Sequence, residues 1–94
     1  MRLYLVAYDV TLPKRWRKVY RTMQDHGDWL QYSVFVCRMT KSRGQRLRAR
    51  LEGLIDPETD RVTVVDLGPL PLADDRLTNI GRTLQPAEGG PWII

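Results

Sequence analysis

The chain offers little thiol or imidazole for chemistry. Its 94 residues include one cysteine, one histidine and one phenylalanine. A lone Cys37 excludes an internal disulfide framework and fits a reducing compartment, so a cytoplasmic location is expected. One Cys with one His also argues against a zinc site. No apolar run nears the roughly 20 residues that span a bilayer, and no membrane partner is expected. Nor is a signal peptide expected, since strand-like alternation starts at Arg2 and Asp9 interrupts the first apolar run. Glycine-rich phosphate loops of the Walker or dinucleotide type are missing, and so are internal repeats and low-complexity tracts. Ser33 has no evident His-Asp partners for a triad. His26 reads as a dipole contact at a helix end, and Cys37 as a packed strand residue.

What the chain has in excess is positive charge, unevenly placed. Residues 1–55 carry twelve Lys/Arg against four Asp/Glu, whereas residues 56–94 carry three against seven. Arg outnumbers Lys twelve to three, and Arg suits bidentate phosphate contacts. A basic body of this kind points to a polyanionic partner.

Residues 2–9 read as a strand buried on both faces. Thr11 is expected to cap a helix that has Pro13 in its first turn. Leu12, Trp16, Val19, Tyr20 and Met23 then fall at helical spacing, with Gly27 as the stop. The helix's other face carries Lys14, Arg15, Arg17, Lys18 and Arg21. Residues 29–39 are rich in β-branched and aromatic side chains, as two short strands meeting near Ser33 or as one bent strand. Ser42 to Gln45 resembles a capping box, followed by a stripe of Leu47, Leu51, Leu54 and Ile55 that ends at Asp56-Pro57. Residues 61–67 form the next strand.

The order β-α-β-β-α-β over residues 2–67 predicts an α+β, ferredoxin-like core. Two helices would cover one sheet face and leave the other open for a second copy, with Val6 and other strand residues in the interface. Residues 68–94 form a separate C-terminal segment, rich in proline and glycine, expected to dock on the partner subunit. Residues 77–84 are read there as one more strand, and the apolar end 90–94 as a docking element.

Asp9, at the end of the first strand, has two readings. It is a turn former bonding nearby amides, or it is a metal ligand. Mg²⁺ often takes one or two carboxylates and keeps its waters. One Asp is a poor site, but two copies of Asp9 across a two-fold axis make a workable one. The basic faces of both helices are read as phosphate contacts, with Lys14, Arg15, Arg17, Lys18, Arg21, Arg38, Arg43 and Arg46 as candidates. An RNA-recognition fold shares the topology, but no stacking aromatic signature is present in the strands.

Taken in order, Tyr8-Asp9-Val10, the basic helix, Gln31-Tyr32-Ser33-Val34-Phe35, the Leu/Arg-rich helix closing on Leu54-Ile55-Asp56, and the Val-rich strand resemble the CRISPR-associated protein two family. The match covers residues 2–67. It implies a ferredoxin-like homodimer whose tail strand adds to the partner's sheet. It also implies a dimer that bridges the CRISPR integrase subunits and supports double-stranded protospacer DNA during spacer acquisition. Members are described as metal-dependent endonucleases on RNA or double-stranded DNA. The resemblance makes Asp9 the Mg²⁺ ligand, with Tyr8, Ser33 and Phe35 beside it as catalytic-site residues. Trp16 and Trp29 stand where some members have basic residues. Two rival classes are a stand-alone, toxin-like ribonuclease and a small-ligand regulatory domain, the latter disfavoured by the basic helices.

Overall fold

A computed structural model describes residues 1–82 of the chain. Strand β1 spans Arg2–Asp9, helix α1 Pro13–Gln24, β2 Asp28–Gln31, β3 Val34–Met39, α2 Lys41–Leu54 and β4 Arg61–Pro69. A short 3-10 turn, Leu72–Arg76, follows. The strands form one sheet in the order β2-β3-β1-β4, and every neighbouring pair is antiparallel. This is the ferredoxin-like arrangement, and both helices pack on the same sheet face.

Strand parity decides what each residue does. On β1, Tyr4, Val6 and Tyr8 enter the core against Val19 and Met23 of α1 and Leu47 and Leu51 of α2. The alternate residues Leu3, Leu5, Ala7 and Asp9 face the opposite side. Val6 is therefore fully buried beneath the helices rather than available to an interface. The expectation of a strand buried on both faces holds only for Leu3, since Leu5 and Ala7 are half-buried and Asp9 is exposed. Leu3 is covered because the 3-10 turn folds back and seats Ala73 beside it and Val36, with Leu30, Leu67, Leu70 and Leu77 around them. Beyond that cover the face stays open over Leu5, Ala7 and Val34, and Val65 on β4 is 40% exposed.

Several local signals sit elsewhere than the sequence suggests. Thr11 does not cap α1. The cap is Leu12, in extended conformation and without a side-chain bond, while the Thr11 hydroxyl donates to Asp60 instead. The α2 cap lies two residues before the expected box, because Thr40 Oγ1 accepts from the Arg43 amide at 3.1 Å. Gly27 is required by crowding rather than by a left-handed turn. A Cβ there would sit 2.5 Å from both Cys37 Sγ and the Val36 carbonyl oxygen. Residues 29–39 resolve into two strands joined by Tyr32 and Ser33. Residues 77–82 contain no strand, and the remainder of the expected tail strand and the apolar end lie outside the described residues.

Candidate active site and nucleic-acid interface

Asp9 ends β1 on the open side of the sheet, opposite Arg61 of β4. It is exposed. The three residues expected beside it point elsewhere. Tyr8 and Phe35 are buried on the helix face, where they close a ring of four aromatics with Trp16 and Tyr20. Trp16 and Tyr20 stack at 5.2 Å between centroids, and Tyr20 meets Phe35 edge-on at 5.7 Å. Ser33 belongs to this side too, since its hydroxyl accepts from Trp16 Nε1 at 3.3 Å. Only through the backbone does the group stay together: the Tyr8 amide donates to the Ser33 carbonyl at 3.0 Å. The arrangement makes Tyr8, Phe35 and Ser33 a rigid support under Asp9, with no side chain of theirs alongside its carboxylate face.

Burial pushes the Tyr8 phenol well above its ordinary range, against a smaller opposing pull from the neighbouring Ser33 hydroxyl. Its Oη is enclosed and meets no group in hydrogen-bonding geometry. At neutral pH it is therefore a protonated core phenol and no base. Burial likewise raises the Cys37 thiol to about 11, which leaves it unreactive.

The Tyr32–Ser33 turn is held from several sides. Trp29 Nε1 donates to the Tyr32 carbonyl at 2.7 Å. Tyr32 itself has φ of 38°, in the left-handed region. That conformation costs a side-chain-bearing residue about 1–2 kcal/mol.

Sequence reasoning passed over Asp60, whose side chain has no accessible surface. Its carboxylate accepts from Arg15 Nε at 2.9 Å, the Asp56 amide at 2.9 Å, the Thr11 amide at 3.1 Å, and the Thr11 and Thr59 hydroxyls at 3.2 Å. The Arg15 bond, followed by the Asp56 amide, holds the carboxyl well below the usual carboxylate range. The cluster ties the turn after Asp9 to the loop before Arg61. No sequence signal marks it, because Thr11 and Arg15 lie 49 and 45 residues away.

The basic candidates divide. Lys14, Arg17, Lys18 and Arg21 on α1 are exposed and form no ion pair among the described residues. Arg43 and Arg46 on α2 are exposed, and among the described residues their guanidinium groups donate to the Asp25 carbonyl and the Ser42 hydroxyl. These six share the helix layer. Arg15 is drawn down onto Asp60 and Thr59. Arg38 lies on the other sheet face, 3.1 Å from Asp74 and 3.9 Å from Asp28. The structure brings neither to the helical surface.

Asp9 alone does not make a cation site. No group of three His, Cys, Asp or Glu side chains converges among the described residues. One carboxylate per chain is a poor Mg²⁺ site, and a second copy would supply another.

The family model for CRISPR associated protein Cas2 matches residues 1–69. A CRISPR-associated endoribonuclease Cas2 of Rhodospirillum rubrum is 44% identical over 91 residues, 97% of this chain and 89% of the relative. One from Geobacter sulfurreducens is 37% identical over 84 residues, 89% of this chain and 88% of the relative. The crystal structure of Streptococcus pyogenes Cas2 superposes with a TM-score of 0.72 at 33% identity, covering 84% of this chain and 99% of that one.

Proposed function

Because this chain belongs to the CRISPR-associated protein Cas2 family, we propose that it acts as a homodimeric nucleic-acid-binding subunit of CRISPR adaptation with an Mg²⁺-dependent endonuclease site at paired Asp9 residues. The dimer bridges integrase subunits and supports the protospacer duplex. One observation carries the site: Asp9 is exposed on the sheet face that the helices leave open. Two copies joined through the apolar part of that face (Leu5, Ala7, Val34 and Val65) set two carboxylates near one axis. Bound there, Mg²⁺ would polarise a phosphodiester and lower the pKa of an attacking water.

The chain's own residues do the rest. Lys14, Arg17, Lys18 and Arg21 follow Asp9 directly along the chain and neutralise phosphates without reading sequence. The Asp60 cluster keeps the β1–α1 turn in place, so the carboxylate of Asp9 has a fixed origin. The cluster of Tyr8, Trp16, Tyr20 and Phe35 backs the end of β1 on the helix side. A nuclease assay on RNA and duplex DNA, with and without Mg²⁺, tests the site when run on wild type and Asp9→Asn.

A second reading, a stand-alone ribonuclease, is favoured by the naming of the curated relatives as endoribonucleases. Co-purification separates the two: the adaptation subunit comes down with an integrase and the ribonuclease comes alone.

A further inference from the structure

Tyr32 has no structural reason to be a tyrosine. Its φ of 38° suits glycine or asparagine and penalises a bulky side chain. Burial does not repay that strain, for Tyr32 is 79% exposed. The turn beneath it is nevertheless fixed. Trp29 Nε1 holds the Tyr32 carbonyl at 2.7 Å, the Tyr8 amide holds the Ser33 carbonyl at 3.0 Å, and Trp16 Nε1 holds the Ser33 hydroxyl at 3.3 Å. Two indoles are thus spent on presenting one ring to solvent. Strain of this kind, over-determined by its surroundings, is a mark of a functional position.

The position is also informative. Ala7 is paired with Val34, and the Tyr8 amide bonds Ser33. One step further along each antiparallel strand brings Asp9 and Tyr32 to the same end of the sheet. The N-terminal turn of α1, with exposed Lys14, starts from that end. A carboxylate, a cation and an exposed aromatic are therefore carried by the same end of the sheet.

We propose that Tyr32 is a base-stacking platform at the Asp9 end of the sheet, taking an unpaired nucleobase of single-stranded RNA while its phosphate lies toward Lys14. This rests on the nucleic-acid reading above and assigns one residue, Tyr32, a part in it. An aromatic face stacks on any base, provided the base is not already stacked in a duplex. The platform thus favours single strands and frayed ends without reading sequence. The fixed turn lowers the entropy cost of stacking, because the ring does not have to be ordered first.

The test uses the full chain, Tyr32→Gly and Tyr32→Phe, with fluorescent RNA in single-stranded, abasic and duplex forms, in the absence of divalent metal so that no cleavage intervenes. Dissociation constants, thermal midpoints and oligomeric mass are measured together. Tyr32→Gly is expected to weaken single-strand binding by about fivefold or more. Abasic and duplex binding should be unchanged, and Tyr32→Phe should match wild type. Because glycine relieves the strain at φ 38°, the midpoint should hold or rise. Wild-type single-strand affinity in Tyr32→Gly overturns the platform while leaving the nucleic-acid reading intact. So does an equal loss on duplex and single strand. A fall in midpoint or in oligomeric mass instead makes the ring a packing or subunit contact and also overturns it. If wild type binds no RNA or DNA, the broader reading falls together with this one.

Discussion

Asp9 and Val6 differ by three positions and have opposite fates, and parity is the reason. Odd residues of β1 reach the open face, so Asp9 is exposed while Val6 is sealed under the helices. Asp9 was legible from the sequence because it ends an apolar run. The surroundings of Tyr8 and Phe35 were not, since motif adjacency does not report which side of a pleat a side chain takes. Asp9→Asn keeps shape and removes charge. Folding should survive, measured by an unchanged thermal midpoint, while Mg²⁺-dependent cleavage falls to background. Equal cleavage by both variants would move the chemistry elsewhere. Gly27 gives a stability counterpart. Gly27→Ala places a methyl 2.5 Å from Cys37 Sγ and a backbone oxygen, and overpacking of this type costs about 1–3 kcal/mol. Urea denaturation should show that loss with an unchanged slope.

Between elements, hydrophobic spacing placed the two helices and the strands of residues 2–67 because burial enforces it, but it did not place their ends, and the strand expected over residues 77–84 is absent from its described part, 77–82. Caps depend on single hydrogen bonds. Thr11 looked like a cap and is instead a donor to Asp60. Arg15, one of five cations on α1, is the one committed to a buried carboxylate. Arg15→Ala should therefore lower the thermal midpoint, whereas Arg17→Ala should not. The pH dependence follows. The folded pKa of Asp60 is depressed, so the stability it contributes is complete above the ordinary carboxylate value of about 4 and is lost as pH falls through the folded value. Acid titration of Asp60→Asn against wild type should show the difference in stability holding above about pH 4 and shrinking progressively below it. For the exposed cations, replacing Arg17, Lys18 and Arg21 by Ala should weaken duplex binding for unrelated sequences alike. The slope of log affinity against log salt should flatten by about 0.9 for each lost phosphate contact. An unchanged slope would make that face merely solvated.

For the whole molecule, the ferredoxin-like order was readable because six elements alternate in period and length within residues 2–67. What could not be read is how residues 68–82 behave. The 3-10 turn returns to the chain's own sheet and covers Leu3 and Val36, a non-local contact that no periodicity announces. It narrows the open face to the stretch nearer Asp9 and leaves Leu5, Ala7, Val34 and Val65 as its apolar part, the part the proposed dimer would use. No helix among the described residues is long and apolar enough to cross a membrane, so a bilayer-spanning helix does not account for this surface. The central claim is that two chains share one cation through paired Asp9 carboxylates. Mg²⁺ calorimetry on the protein, with light scattering on the same sample, tests it most directly. Paired carboxylates require twice the 11.0 kDa chain mass and one ion for every two chains, with binding abolished in Asp9→Asn while the dimer persists. A monomer, or one ion for each chain retained in Asp9→Asn, would contradict it.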